Sequence, residues 1–489
     1  MEAALPPSNQ PVESLRAKIR SAVIWRSGSQ IAAQLVQWAA TFLVIRILHP
    51  VDYGLYAMTG VVLAFMALLN GYSLASGLIR QPVVTPIEVR QLFGMLLLLN
   101  LALGTAQFLA APLVAGYYRQ PQVATMLRVQ CLLYLATPFI ALPYALLARA
   151  MDFATQARVN IVASVLSAAT ALGGALAGWG VWTLVAAPAT LFAVRAAGMT
   201  LAARSLVWPC FDFRGAGALA RYGGVMTVGQ FFWFAQAQAD VVIAGRYFDA
   251  AAVGLYTTAL FLTQIFQNKV VPPLNEVAFT AYARLQDEPG AVGGAFVGSA
   301  GAIMAAALPI YLGVATTAEP LVLFALGEHW RGAIPVVRLL ACAMPFMTLY
   351  VLMPPVSDAI GRPGVGVRAS MIGAVVLPAA YLVGVQWGLP GLATAWIIAY
   401  PLMLVVIARG VLPVIGVTVR QLAAAIAPSL NAALAMAAVV LLIDRVLPPL
   451  GPGLRLAVLA PAGAGLYGGW LLLFARPTVA RLLAMVRRR

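Results

Sequence analysis

Charged residues are scarce in this chain. Only 9% of its 489 residues are charged, with 31 Lys and Arg against 15 Asp and Glu, while 62% are hydrophobic. Soluble domains usually carry about 25% charged residues, and the mean hydropathy here is +0.91. This composition excludes a soluble globular protein and predicts one that crosses a membrane many times.

Cysteine and histidine are also few. Cys131 and Cys342 lie inside apolar runs and Cys210 in a loop, so the sequence offers neither a disulfide framework nor a ligand cluster. The two histidines, His49 and His329, are far apart. No catalytic constellation and no phosphate-binding glycine loop is present. We therefore predict no metal, no cofactor and no enzymatic activity.

Long apolar runs fill most of the chain. A bilayer core of about 30 Å requires about 20 apolar helical residues per crossing, and fourteen such runs can be placed. The predicted fold is an all-α polytopic membrane protein with about fourteen transmembrane helices. The predicted spans are 22–45, 55–79, 91–113, 125–147, 157–177, 181–203, 219–245, 252–276, 293–318, 333–353, 366–387, 390–408, 421–443 and 453–475.

Positive charge is unevenly distributed between alternate loops. Of the 31 Lys and Arg residues, 21 lie on one side of the predicted spans and 8 on the other, with Arg195 and Lys269 inside spans. Because Lys and Arg accumulate in cytoplasmic loops, both termini are predicted to be cytoplasmic. The net charge of +16 then faces anionic lipid headgroups, and its dispersal among loops argues against a nucleic-acid partner.

The chain contains an internal repeat. Arg46, Gly54, Leu55 and Tyr56 recur 200 residues later, and later pairs drift to an offset of 208–210. Such repeats in transporters indicate two lobes with the substrate site between them. The predicted parts are a cytoplasmic tail at 1–21, an N-lobe of six helices at 22–205, a cytoplasmic linker at 206–218, a pseudo-symmetric six-helix C-lobe at 219–412, and two additional helices with a basic tail at 413–489.

Glutamines mark one face of each lobe's first helix. Polar side chains in a bilayer are costly and tend to face a cavity or another helix, so these residues are candidates for substrate binding. Hydrogen bonding between helices is the equally weighted alternative. The candidates in the two lead helices are Gln30, Gln34, Gln37, Gln230, Gln236 and Asp240.

The eighth predicted span is the most polar. Gln264, Gln267, Asn268 and Asn275 follow one face of this helix, and Lys269 and Glu276 lie seven residues apart. Gln264, Asn268 and Lys269 extend the list of candidates for substrate binding. Pro272 and Pro273 are expected to kink this helix or to end it early. If it ends there, Lys269 is interfacial. Arg46 and Arg246 are interpreted as charges at helix ends that reach toward the headgroups.

Several short segments occur in a characteristic order. They resemble the polysaccharide transporter family of lipid-linked oligosaccharide flippases, in the colanic-acid and succinoglycan exporter branch, over roughly residues 20–410. The segments are 43–56, 79–82 (Ile-Arg-Gln-Pro), 146–153 (Leu-Leu-Ala-Arg-Ala-Met-Asp-Phe), 180–185 (Gly-Val-Trp-Thr-Leu-Val), 240–256, 282–286 (Tyr-Ala-Arg-Leu-Gln), 320–330 and 361–363 (Gly-Arg-Pro).

The resemblance implies both a fold and a task. The fold is that of the multidrug/oligosaccharidyl-lipid/polysaccharide exporter superfamily, with two six-helix lobes that open alternately to each side. The task is to move undecaprenyl-diphosphate-linked oligosaccharide repeat units from the inner to the outer leaflet of the bacterial inner membrane, for exopolysaccharide or lipopolysaccharide biosynthesis. Implied partners are the bilayer and possible polymerase and export machinery.

Three alternatives remain. A cation-coupled drug or small-molecule antiporter of the same superfamily would need an acidic residue deep in the membrane, and Asp240 is the only candidate in the lead helices. A polymerase or ligase would need a large outer loop with catalytic side chains, which the predicted topology lacks. A structural component of an export complex would leave the two polar faces without an explanation.

Overall fold

A computed structural model describes residues 34, 36–70, 75, 78, 84–212, 217–288 and 290–476, with the backbone alone at 217–230 and 233. These residues form helices and turns, with no strand among them, which confirms the all-α class. Contacts divide the chain into two compact units, Met1–Phe231 and Phe232–Arg489. The division falls within a helix, and the predicted lobe and linker boundaries stay predictions.

The first unit contains eight helices among its described residues before the helix that crosses the division. In chain order they are α1 (Val36–Ile47), α2 (Pro50–Leu69), α3 (Pro86–Tyr118), α4 (Pro121–Gln130), α5 (Leu132–Ala136), α6 (Pro138–Arg149), α7 (Phe153–Leu176) and α8 (Val181–Ala203).

The helix that crosses the division is α9 (Gly217–Tyr247). It is followed by α10 (Ala250–Lys269), α11 (Val271–Leu285), α12 (Ala291–Thr316), α13 (Ala318–Ala325), α14 (Ile334–Val351), α15 (Pro354–Ala359), α16 (Gly364–Gly384), α17 (Gly388–Val411), α18 (Val419–Val446) and α19 (Pro452–Phe474), with 3₁₀ turns at Glu328–Ala333 and Val385–Trp387.

Eleven helical segments among the described residues are long and apolar enough to cross a membrane. Four of these segments combine successive helices, and the longest, Gly364–Val411, comprises α16 and α17. The predicted first span lies largely outside the described residues, and the predicted seventh falls within α9, which is not among the eleven. The chain is therefore a multi-span integral membrane protein, and the number fourteen stays a prediction.

The helix boundaries reproduce the sequence repeat. Helix α1 ends at Ile47 and α2 begins at Pro50, while α9 ends at Tyr247 and α10 begins at Ala250. Later in each unit, a tight turn joins two long helices, α7 to α8 and α16 to α17. Gly180 and Gly388 close these turns with φ of 55° and 73°, a conformation that favours glycine. Each turn lies between two of the predicted spans, 157–177 and 181–203 in the first unit and 366–387 and 390–408 in the second.

The Pro272–Pro273 pair acts as predicted. Helix α10 ends at Lys269, and α11 begins at Val271 with proline in its first turn. Proline lacks the backbone N–H of an interior helical residue but is tolerated in the first turn, so the pair starts a new helix. The predicted span 252–276 is correspondingly shortened. Lys269 and Glu276 are both exposed.

Several short elements were not predicted. The predicted span 125–147 is three helices, α4, α5 and α6, with breaks at Cys131 and Thr137. Pro138 begins α6, and a proline favours a helix start over a helix interior. Helices α13 and α15 are likewise short elements between longer helices, and each has a proline in its first turn.

The two C-terminal helices pack within the second unit. The Tyr467 hydroxyl on α19 donates to the Ala305 carbonyl of α12 at 2.7 Å. At the other end of α19, the Arg455 guanidinium holds Asp444 of α18 with two hydrogen bonds of 2.5 and 2.6 Å, and Glu319 of α13 at 3.4 Å. These contacts attach the pair firmly to α12 and α13.

Candidate functional site

A buried carboxyl group lies in the interior of the second unit. Asp240 on α9 is 2% exposed. Its Oδ2 accepts a hydrogen bond of 2.9 Å from the Tyr256 hydroxyl on α10, which in turn accepts one of 2.8 Å from the Trp396 indole N–H on α17. One tyrosine oxygen thus joins the consecutive helices α9 and α10 to the distant helix α17. Asp240 Oδ1 is buried and has no side-chain partner among the described residues.

Aromatic rings enclose this chain of hydrogen bonds. Trp396 stacks on Tyr400 one turn along α17 with ring centroids 4.9 Å apart, and Tyr381 of α16 lies 5.8 Å from Trp396. Tyr350 of α14 meets Tyr400 edge-on at 6.2 Å. All four rings are buried. Offset and edge-to-face contacts of this kind stabilise aromatic clusters beyond the area they bury.

Gln236 extends the cluster by one turn of α9. It is buried, and its Oε1 accepts a hydrogen bond of 3.2 Å from the Tyr350 hydroxyl. Gly373 of α16 leaves the space that this amide fills, since a β-carbon there would overlap Gln236 Oε1. The arrangement matches the interhelical hydrogen bonding that was the alternative interpretation of this glutamine.

A second buried polar chain links α10, α12 and α14 of the same unit. The Thr348 hydroxyl on α14 donates to Gln267 Oε1 on α10 at 3.1 Å. The Tyr311 hydroxyl on α12 lies 3.1 Å from the same Thr348 oxygen. Gln267 sits one turn from Gln264 on the α10 face singled out in the sequence, so part of that face serves helix packing.

The carboxyl cluster is particular to the second unit. At the repeat offset of 200, Tyr256 corresponds to Tyr56 of α2, but Asp240 corresponds to Ala40 of α1. Ala40 is buried and apolar. The repeat therefore preserves the helix boundaries and the tyrosine, whereas the carboxyl group at this position occurs in the second unit only.

This cluster has two chemical capacities. A carboxylate in an apolar interior is costly unless it is paired or protonated. Asp240 has one hydroxyl donor and a second, unshared oxygen, so it can hold a proton or take part in binding a small cation. In the part of the chain that is described, no group of three or more His, Cys, Asp or Glu residues is placed to hold a metal ion.

The predicted site residues occupy different environments. Gln236 and Asp240 share the buried face of α9. Gln34 and Gln37 of the first unit are half-buried, as is Gln264, whereas Asn268 and Lys269 are exposed at the end of α10. Gln30 lies outside the described residues, and for Gln230 only the helical backbone is described. Their roles in substrate binding stay predictions.

Most aromatic neighbours of Asp240 could not be predicted from the sequence. Tyr381, Trp396 and Tyr400 lie in apolar runs, where an aromatic residue gives no signal of its own. Tyr256 did carry a signal, because it ends the repeated Gly-Leu-Tyr segment. A buried tyrosine or tryptophan usually has a hydrogen-bond partner. The acidic residue of the preceding span, Asp240, was therefore a candidate partner for Tyr256.

The fold and the buried cluster define a polytopic membrane protein with a repeated helical unit, and the comparison with known families places it further. A family model described as "Polysaccharide biosynthesis protein" matches residues 43–335. The chain belongs to this family, which confirms the resemblance noted in the sequence.

The names of three curated relatives refer to the biosynthesis of surface polymers that contain sugars. The chain is 26% identical over 339 residues to the succinoglycan biosynthesis transport protein ExoT of Rhizobium meliloti, covering 69% of each chain. It is 22% identical to the teichuronic acid biosynthesis protein TuaB of Bacillus subtilis, covering 67% of this chain and 68% of that one. With the lipopolysaccharide biosynthesis protein WzxC of Escherichia coli it shares 21% identity over 67% of each chain.

Solved structures show the same fold at low sequence identity. The lipid II flippase MurJ superposes with a TM-score of 0.75 at 11% identity, covering 93% of this chain and 100% of that chain. An inward-facing multidrug resistance transporter of the MATE family superposes with a TM-score of 0.61 at 14% identity, covering 78% of this chain and 94% of that chain. The chain therefore shares the fold of these two transporters.

Proposed function

We propose that this protein is a flippase for undecaprenyl-diphosphate-linked oligosaccharide repeat units. It moves them from the inner to the outer leaflet of a bacterial inner membrane by alternating access, and so supplies exopolysaccharide or lipopolysaccharide assembly. The observation that carries the proposal is membership of the polysaccharide biosynthesis family over residues 43–335, together with a relative named as a succinoglycan transport protein.

The composition fits this task. A glycan and a diphosphate cannot cross about 30 Å of hydrocarbon without a polar path. Amide side chains can hydrogen-bond sugar hydroxyls, and arginine or lysine can pair with phosphate. We propose that the half-buried amides Gln34 and Gln37 of the first unit, and Gln264 of α10, contribute polar groups to such a path. The hydrocarbon tail of the carrier can stay in the bilayer.

A deletion strain tests the proposal. Without this chain, cells are expected to accumulate complete, unpolymerised lipid-linked repeat units on the cytoplasmic leaflet and to lose the surface polysaccharide. Mass spectrometry of the accumulated lipid would also identify the glycan. Normal outward delivery in the deletion strain would refute the proposal.

The buried Asp240 supports a second candidate, a cation-coupled antiporter for drugs or other small molecules. An acidic side chain inside a membrane helix marks a proton or ion pathway by default, and this one is enclosed by hydroxyl and indole groups within one unit. Under this candidate Asp240→Asn abolishes drug resistance conferred by the chain and leaves surface polysaccharide unchanged. Loss of polysaccharide with an unchanged resistance profile would favour the flippase.

A further inference from the structure

An open apolar groove lies at the end of α8 in the first unit. It has a volume of about 620 Å³ and is lined by Phe139, Ala196, Ala197, Thr200, Leu201, Arg204 and Leu206. The one hydroxyl in this lining is already used, because Thr200 Oγ1 donates to the Phe139 carbonyl at 2.9 Å. Apart from the arginine, the groove therefore offers hydrocarbon to whatever occupies it.

Arg204 supplies a positive charge at the groove. It ends α8 in the left-handed conformation, with φ of 47°, and its side chain is exposed. Within the described part of the chain no carboxylate pairs with its guanidinium. An apolar groove beside an unneutralised guanidinium is complementary to a molecule with a hydrocarbon chain and an anionic head.

The segment that follows α8 is held against α3 by its backbone. The Cys210 N–H donates to the Arg90 carbonyl at 2.9 Å, and the Arg90 Nε donates to the Trp208 carbonyl at 3.0 Å. Gln91 Nε2 donates to the Asp212 carbonyl at 2.7 Å. Gly94 allows this close approach, since a β-carbon there would overlap the Cys210 carbonyl. The segment is thus a built part of the first unit.

The same segment turns large apolar side chains outward. Leu206 is 79%, Trp208 84% and Phe211 55% exposed. Exposed apolar clusters mark interaction sites or membrane contacts, and tryptophan is enriched at the membrane interface. The arginine distribution predicts this side of the protein to be cytoplasmic, where the leaflet carries anionic lipids.

We propose that one anionic phospholipid of this leaflet binds in the groove, with an acyl chain along Phe139 and Leu201 and its phosphate at Arg204. The groove volume falls in the range of about 300–1,000 Å³ found for single-ligand pockets. That size suits part of one acyl chain better than the long polyprenyl tail of the carrier. The site is distinct from the buried cluster of the second unit and does not depend on the transported substrate.

Native mass spectrometry of the full chain tests the site. The protein is purified from nanodiscs made of equal amounts of phosphatidylglycerol and phosphatidylethanolamine, and retained lipids are counted by class. Wild type should retain one more phosphatidylglycerol than Ala197→Trp, which places an indole in the groove. Arg204→Gln should lower its occupancy about fivefold, the effect expected of one interfacial arginine, and Arg204→Lys should restore most of it.

Two variants control for the substitutions themselves. Arg119 ends α3 in the same left-handed conformation, with φ of 56°, and is also exposed, so Arg119→Gln repeats the change away from the groove. Ala202 is exposed on α8 but does not line the groove, so Ala202→Trp controls for a new indole. Both should keep the lipid.

Three outcomes would overturn the proposal. Equal phosphatidylglycerol retention by wild type, Ala197→Trp and Arg204→Gln would remove the site. If the protein retains phosphatidylethanolamine instead of phosphatidylglycerol, and Arg204→Gln does not change that retention, then Arg204 does not recognise an anionic headgroup. Displacement of the phospholipid by added undecaprenyl diphosphate would assign the groove to the carrier. Each result is obtained without measuring transport, so it stands apart from the proposed function.

Discussion

The hydroxyl of Tyr256 joins two buried groups, and its removal gives a sharp test of the second unit's core. Tyr256→Phe leaves the ring in place but removes the donor to Asp240 and the acceptor for the Trp396 indole, at 2.9 and 2.8 Å. All three side chains are at most 3% exposed, so water has little access to replace the lost partners.

The expected cost follows from the number of bonds. Interhelical hydrogen bonds in membrane proteins contribute about 0.6 kcal/mol on average and up to about 1.7 kcal/mol. Two such bonds give about 1–3 kcal/mol, and the exclusion of water favours the upper half of that range because unsatisfied buried groups are costly. We expect the free energy of unfolding to fall by about 2 kcal/mol.

The measurement is reversible unfolding of the purified chain by SDS in mixed micelles. Tyr56→Phe is the matched control, because Tyr56 is the half-buried repeat counterpart and its hydroxyl has no hydrogen bond to a described residue. It should change the unfolding free energy by less than about 0.5 kcal/mol. A double-mutant cycle of Tyr256→Phe with Trp396→Phe should give a coupling of about 1 kcal/mol. Equal effects of Tyr256→Phe and Tyr56→Phe, or no coupling, would refute the network.

Two further predictions concern transport and helix packing. Gln34→Leu combined with Gln37→Leu should reduce oligosaccharide flipping more than Arg331→Ala at matched expression, because Arg331 lies in an exposed ion pair with little energetic weight. Equal losses of flipping in the two variants would contradict a role of these glutamines in the polar path. Gly384→Ala should lower the free energy of unfolding in SDS by about 1–3 kcal/mol, since its β-carbon would press on the backbone of α17. Gly313→Ala, with open space around it, should be neutral or slightly stabilising, and identical results for the two glycines would contradict the close helix approach.

Local sequence signals predicted the helical framework well. The repeat predicted matching breaks near residues 48 and 248, and prolines predicted the interruption at 270. The short intervals between predicted spans located the turns at 178–180 and 388. These features depend on backbone conformation and on apolar length, which neighbouring residues determine. The three-part break of 121–149 was missed, because a proline inside an apolar run is compatible with either a kink or a new helix.

The buried cluster was only half predictable. The spacing of Gln236 and Asp240 showed that they share a face of α9, but their partners come from α10, α14 and α17. The Trp396 indole reaches Tyr256 across 140 positions of sequence. Such pairings depend on how helices pack, which no local pattern encodes. For Gln236, the contact with Tyr350 shows helix-to-helix bonding, one of the two interpretations left open by the sequence.

Translocation by the purified chain is the most direct test of the proposed function. The full chain is reconstituted into vesicles that contain undecaprenyl-diphosphate-linked oligosaccharide in both leaflets, and an externally added glycosidase reports how much of the sugar becomes accessible. A flippase predicts that the inner-leaflet fraction becomes accessible with time. The folded state of the reconstituted chain is checked by its cooperative unfolding. If the folded chain leaves the inner-leaflet oligosaccharide as protected as it is in protein-free vesicles, the result contradicts the proposed function.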